Sequence, residues 1–252
     1  MLIGNFFNKV SSIYKNHYFS GLSFNSLTCK RDNIFFAING NQIDGNKYIK
    51  DAIRKGAKTI ISNQKFEGIK NNILFVKSLN PRKLLSETAY KICKNKPKNL
   101  IAVTGTNGKS SITDFYLQIL RLNNKKAASI GTLGVNTTNY KKSVSKTTLD
   151  AIELSQRLKE IKKQKINNVI LEASSHGLKQ HRLDGLNFKI GIFTNLSHDH
   201  LDYHKNFKDY LKSKLYLFEK LVGRQHNVIT DIEIPEYKKL KDISLKRKLN
   251  IQ

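Results

Sequence analysis

The stretch Val103-Thr104-Gly105-Thr106-Asn107-Gly108-Lys109-Ser110-Ser111 constrains the fold more than any other part of this chain. It joins an apolar run, Leu100 to Val103, to a segment with apolar residues at helical spacing, Ile112, Phe115, Ile119 and Leu120. A strand that runs through a glycine-bracketed turn into a helix is an arrangement for binding phosphate. Glycines let backbone N–H groups close around phosphate oxygens, the helix offers its positive end, a lysine adds a point charge and a serine hydroxyl can hold Mg²⁺. The common pattern places a glycine five residues before the Gly-Lys pair, where Val103 stands here, so this is a tighter variant of the loop. Gly105, Thr106, Asn107, Gly108, Lys109, Ser110 and Ser111 are the candidate ATP-binding residues.

With 252 residues and 39% hydrophobic content the chain can bury a substantial core, and its length favours two domains. The polar, proline-containing segment Lys94-Asn95-Lys96-Pro97-Lys98-Asn99 marks the boundary, dividing the chain into 1–97 and 98–252. In the first part, strands are expected at Asn33 to Ile38, Thr59 to Ser62 and Ile73 to Val76, with helices at Lys47 to Lys55 and Leu84 to Ile92. In the second, strands are expected at 100–103, 168–172 and 189–194, and helices near 109–122, 149–164 and 206–220. This alternation predicts an α/β fold with a mostly parallel sheet and ligands at the carboxyl ends of its strands.

A formal charge of +26 suits nucleic acid, an anionic membrane surface, or small phosphorylated and carboxylated substrates. The lysines are dispersed, commonly beside asparagine and isoleucine, and neither a zinc pattern nor an RNA-binding aromatic signature accompanies them. Nucleic-acid binding is therefore not expected as the main role. No run of about 18 apolar residues is present, so membrane insertion is not expected either. Two cysteines, Cys29 and Cys93, and no amino-terminal apolar stretch with a cleavage pattern point to a reducing, cytoplasmic setting. The tail Lys238 to Lys248 reads as a basic, weakly amphipathic, solvated face.

Two further segments carry chemistry. Glu172 ends the apolar strand Val169 to Leu171, ahead of Ala173-Ser174-Ser175-His176-Gly177-Leu178, where a carboxylate faces the same crevice as the phosphate loop and can hold Mg²⁺. After the strand Ile190 to Phe193, the segment from Thr194 to His204 brings His198, His200, His204, Asp199 and Asp202 close together in sequence. Zinc is one reading of that His-x-His spacing; hard oxygen ligands beside a phosphate loop favour Mg²⁺ with an auxiliary histidine. Lys214 falls on the apolar face set by Phe207, Tyr210, Leu211, Leu217 and Phe218. From spacing alone, its long stem snorkelling to the surface is the simpler reading, because a buried lysine loses its hydration.

With these residues in view, the chain resembles the Mur ligase family, ATP-dependent amide-forming enzymes of peptidoglycan synthesis. Thr104-Gly105-Thr106-Asn107-Gly108-Lys109 matches the family's ATP loop, which folate and cyanophycin ligases share in similar form. Glu172 to Leu178, with Gln180, His181 and Arg182, is similar to the block of the MurE type, which adds the third residue of the stem peptide. In the first part, Asn25-Ser26, Ile34 to Ala37 and Gly40-Asn41-Gln42-Ile43-Asp44-Gly45 resemble that type's uridine-nucleotide domain.

The resemblance implies a UDP-precursor-binding domain at 1–97 followed by a central ATPase-like domain at 98–252. It implies UDP contacts at Phe24, Ser26, Asn41, Gln42 and Ile43, and muramoyl-peptide contacts at Thr147, Thr148, Ser174, Gln180 and Arg182. Lys109, Glu172, His200 and Lys214 would be the catalytic residues, with metal at Ser110, Glu172, His200 and a carbamylated Lys214. The implied reaction uses ATP and Mg²⁺ to phosphorylate the D-glutamyl carboxylate of UDP-MurNAc-L-Ala-D-Glu, and the amine of meso-diaminopimelate or L-lysine then attacks the acyl phosphate. Alternatives are a non-catalytic precursor- and ATP-binding remnant, or another Mur or folylpolyglutamate-type ligase. The family's pattern differs here at Asn25, Leu27, Lys146 and His198. By the same resemblance, Gln252 falls where the central domain still has strands to add and before a third domain, so the chain is expected to be truncated and unable to complete the reaction alone.

Overall fold

The runs Leu100 to Val103 and Val169 to Leu171 are buried throughout, as interior parallel strands covered on both faces must be. In the computed structural model, which describes residues 1–7, 11–40, 43–138, 140–199 and 202–252, they lie side by side. The chain separates into two compact units, Met1–Ile92 and Cys93–Gln252.

The first unit is a five-stranded sheet. Its strands are β1 (Gly21–Ser23), β2 (Asn33–Phe36), β3 (Thr59–Ser62), β4 (Gly68–Lys70) and β5 (Ile73–Lys77), in the order β1-β2-β3-β5-β4. All neighbours pair in parallel except β4, which runs antiparallel to β5. Helices α1 (Ile49–Arg54) and α2 (Pro81–Ile92) accompany the sheet. Phe35, Ala37, Ala57 and Ile60 build its core together with Ile49 and Ala52 of α1, and Ile53 of the same helix packs against them.

The second unit carries β6 (Asn99–Thr104), β7 (Ala127–Gly131), β8 (Gly134–Thr137), β9 (Lys141–Lys142), β10 (Asn168–Glu172), β11 (Phe188–Phe193), β12 (Val222–Thr230) and β13 (Asn250–Ile251). Their order is β13-β12-β11-β6-β10-β7-β8-β9, parallel from β13 to β7, with β8 and β9 added antiparallel. Parallel neighbours need crossover connections. Helices α3 (Lys109–Leu122), α4 (Ala151–Lys163), α5 (Ser175–Lys179), α6 (Phe207–Tyr216) and α7 (Tyr237–Arg247) lie within them. Side chains start three of these helices: Asp150 accepts from Glu153 N, Ser174 from Gly177 N and Asn206 from Asp209 N. Because β10 and β11 flank β6, the loops that follow all three strands open at one edge of the sheet.

Two sequence expectations change. The helix expected at 206–220 is α-helical only to Tyr216 and continues as a π-helical stretch, Leu217–Leu221. The tail is not merely a solvated face. Leu240 and Ser244 of α7 are buried, and Arg247 donates to the carbonyls of Glu219 and Val222, so one side of this basic helix is docked. Among the described residues no helix is long and apolar enough to cross a membrane. Cys29 and Cys93 are buried free thiols.

Candidate nucleotide and metal site

The loop between β6 and α3 depends on two glycine conformations. Gly105 has φ +146° and Gly108, the residue before α3, has φ +83°; a Cβ at Gly105 would fall 1.8 Å from Thr194 Oγ1. The loop after β11 braces this turn. Thr106 N donates to Asn195 O (2.9 Å), Asn107 N to Asn195 Oδ1 (3.0 Å), and Thr194 Oγ1 to Asn107 O (2.6 Å). Ser175, on the wall of the cleft, and Thr104, at the end of β6, each keep a buried hydroxyl without a hydrogen-bond partner.

Thr106, Asn107, Gly108, Lys109, Ser110, Ser111, Thr132, Thr147, Glu172, Ser174, Ser175 and Lys214 line a cleft of about 250 Å³. Lys109 Nζ lies over the loop, donating to Gly105 O (3.0 Å) and Thr106 O (2.7 Å). Burial lowers its pKa, against the opposing pull of Glu172 and Asp199. Glu172 is 1% exposed, and its carboxylate accepts from Ser110 Oγ (2.9 Å), Thr132 N (2.8 Å) and Thr132 Oγ1 (3.2 Å).

Lys214 does not snorkel. It is 1% exposed, and its Nζ donates to Gly105 O (2.6 Å) and sits 4.4 Å from the centre of the Tyr210 ring. Burial first, then the neighbouring Lys109, lowers its pKa to about 7, with Asp199 opposing.

The remaining expected site residues are distributed as follows. Thr147 Oγ1 is 3.0 Å from Thr132 Oγ1. Thr148 is buried, its hydroxyl donating to Glu172 O (2.8 Å), accepting from Ser174 N (2.9 Å) and lying 2.9 Å from Ser174 Oγ. Arg182 donates to Thr148 O and to Gln180 Oε1, and Gln180 Nε2 donates to Tyr203 OH (3.0 Å). Thr148, Ser174, Gln180 and Arg182 thus form one continuous network beside the cleft. In the first unit, Phe24 and Ile43 are exposed and Ser26 is buried, following β1 and β2, parallel neighbours whose carboxyl ends share one edge. Asn25, where the family pattern differs, accepts from Leu27 N (2.9 Å) and so caps a short 3₁₀ turn. Asn41, Gln42 and His200 lie outside the described residues.

Sequence reasoning missed two residues of this site. Thr132 lies on the turn after β7, whose small-residue sequence Ala-Ala-Ser-Ile-Gly gave no strand signal. Tyr210 was read only as part of an apolar face, yet its hydroxyl is 3.0 Å from Thr106 Oγ1 while its ring walls Lys214. Tyr210 and Lys214, one helical turn apart on α6, therefore both reach the phosphate loop. Gly131 makes room for Glu172, since a Cβ there would stand 2.2 Å from Oε1. Gly131→Ala is expected to destabilise the fold by about 1–3 kcal/mol through overpacking, read as a lower urea midpoint at unchanged m-value.

The oxygen donors suit a small hard cation. Ser110 Oγ and Glu172 Oε1, hydrogen-bonded at 2.9 Å, put a hydroxyl and a carboxylate side by side, the kind of oxygen donors that Mg²⁺ takes. Among the described residues, no three His, Cys, Asp or Glu side chains cluster so as to hold a metal, so a zinc-type set is not seen there.

Loop, carboxylate and parallel sheet together define a phosphate-loop nucleotide-binding fold. The chain belongs to the Mur ligase family: the Mur ligase middle domain matches residues 103–251, and the Mur ligase family, catalytic domain, matches residues 18–90. A UDP-N-acetylmuramoyl-L-alanyl-D-glutamate–2,6-diaminopimelate ligase of Rickettsia montanensis is 39% identical over 239 residues, covering 93% of this chain and 50% of that protein. The ligase of the same name from Bradyrhizobium diazoefficiens is 38% identical, covering 81% and 41%. A solved structure of a ligase bearing this name superposes with a TM-score of 0.82 at 27% identity, covering 96% of this chain and 50% of the other. A MurF ligase from Thermotoga maritima, solved with ADP, shares the fold, with a TM-score of 0.58 at 18% identity over 91% of this chain and 49% of its own. The chain spans about half the length of the curated relatives it matches.

Proposed function

We propose that this chain supplies the precursor-binding and ATP-binding parts of an ATP-dependent ligase joining 2,6-diaminopimelate to UDP-MurNAc-L-Ala-D-Glu. The observation that carries the reading is the Ser110 hydroxyl and Glu172 carboxylate, 2.9 Å apart beside Lys109 at the carboxyl ends of adjacent parallel strands. The relatives' names support diaminopimelate over L-lysine as the added residue.

In this reading the γ-phosphoryl group of ATP passes to the D-glutamyl γ-carboxylate, giving ADP and an acyl phosphate. The diamino acid's neutral amine then attacks the acyl carbon, phosphate leaves and the amine's proton is lost, forming the amide. The chain's residues bind and align. Loop N–H groups and Lys109 hold the phosphates, while Thr147, Thr148, Ser174, Gln180 and Arg182 form the acceptor's side of the cleft. Phe24, Ser26, Asn41, Gln42 and Ile43 receive the uridine nucleotide. Ser110 and Glu172 would hold Mg²⁺, with a second metal at His200 and Lys214; a bound cation neutralises the phosphate charge developing during transfer.

Lys214 has the properties needed for carbamylation. Its pKa of about 7 leaves a large fraction of neutral amine at neutral pH, and that amine can add to CO₂ with loss of a proton. The product is an anionic oxygen ligand in place of a buried cation.

Isothermal titration of the chain is expected to show saturable, one-to-one binding of both UDP-MurNAc-L-Ala-D-Glu and Mg·ATP. Failure of a folded sample to bind either ligand would sink the proposal.

A further inference from the structure

Glu172 is gripped on both carboxylate oxygens by a single residue. Thr132 donates its N–H to Oε1 (2.8 Å) and its hydroxyl to Oε2 (3.2 Å), which fixes the plane of the carboxylate as well as its position. Ser110 Oγ meets Oε1 from the nucleotide side (2.9 Å), and Thr147 Oγ1 lies 3.0 Å from Thr132 Oγ1 on the other side. A hydroxyl has one proton and a carboxylate only accepts. With the Thr132 proton on Glu172, the Thr147 hydroxyl must donate to Thr132, leaving Thr147 lone pairs facing the cleft.

We infer that Thr132 is a positioning residue of this site. It sets the orientation in which Glu172 meets a divalent cation and, through the proton order of the hydroxyls, joins the cation end of the cleft to Thr147. The inference rests on the proposed nucleotide and metal function and deepens it. Residues that orient a metal ligand typically affect metal affinity by about 10- to 100-fold when removed.

The test uses the whole 252-residue chain with ADP and Mn²⁺, bound Mn²⁺ being read by electron paramagnetic resonance. Thr132→Val keeps size and N–H but removes the hydroxyl; Thr132→Ser restores it. Thr132→Val is expected to weaken Mn²⁺ binding to the ADP complex by about tenfold or more, a larger loss than in metal-free ADP affinity, and Thr132→Ser is expected to bind Mn²⁺ close to wild type. Both variants should keep a native circular dichroism spectrum, with Thr132→Val melting a few degrees lower because it leaves the buried Glu172 Oε2 without this hydroxyl. Unchanged Mn²⁺ affinity in Thr132→Val overturns the inference, as does equal weakening in Thr132→Ser or an equal loss of metal-free ADP binding. Wild-type chain whose ADP binding is indifferent to Mn²⁺ overturns the underlying metal reading and this inference with it. A wild type that responds to Mn²⁺ beside an unaffected Thr132→Val overturns the inference alone.

Discussion

Lys109→Ala is expected to lower ATP affinity by about 100-fold or more while leaving affinity for UDP-MurNAc-L-Ala-D-Glu within about twofold. Charge-assisted hydrogen bonds contribute about 1.5–3 kcal/mol each, and a lysine bridging two phosphate groups makes about two of them. The ammonium is already in place, held over the loop by the carbonyls of Gly105 and Thr106. Burial disfavours its charge, and the oxygens of a bound phosphate would restore it. The expected uridine contacts belong to the other unit, so the two affinities should separate in calorimetric titrations of a variant with a native circular dichroism spectrum. Equal loss of both would refute the assignment of the two ligands to different units.

The second large effect concerns Lys214. A lysine ordinarily titrates near 10.5, and burial beside Lys109 brings this one to about 7. Between these values the unfolded chain holds a proton that the folded chain has released. Stability therefore rises with pH across this window; the penalty is fully present below about pH 7 and is relieved as pH approaches 10.5. Lys214→Met keeps an unbranched stem and removes the titration, and Gly105 O retains its bond from Lys109 (3.0 Å). In CO₂-free buffer the variant should be more stable than wild type at pH 7, by at most about 4–5 kcal/mol. The part of the pH slope of urea-unfolding free energy between pH 7 and 10 that this lysine contributes should vanish. A variant less stable than wild type at every pH would mean that Lys214 is charged and stabilised in the folded protein. With ¹³C-bicarbonate supplied, wild type should show a lysine carbamate resonance that Lys214→Met lacks.

Much of the second unit was readable without coordinates, because its signals are local. The edges of β6, β10 and α3 follow from apolar runs that switch from strand to helical spacing at Gly105 to Lys109. Glu172 was placed in the crevice by the same logic, a polar residue at the carboxyl end of a buried strand. What escaped notice has weak local signals. Strand β7 is built of small residues, β1, β4, β9 and β13 are only two or three residues long, and β12 carries a polar interior with Gln225 at φ +62°. The basic tail could not announce a docked face, since one buried leucine and one buried serine make no visible stripe.

The sequence by itself determined the chemistry on offer: a phosphate loop, a carboxylate opposite it, and a lysine on an apolar face. These are properties of short segments, and segment physics decides them. Only the tertiary structure decided whether Lys214 reaches water or the loop, because its stem can do either and the packing of α6 beside α5 leaves its nitrogen on Gly105 O. The tertiary structure also decided that Thr132, forty residues before Glu172, grips it, since pairing β7 beside β10 brings the two chain ends together. Contacts of this kind depend on strand order, and no stretch of sequence near either residue encodes that order.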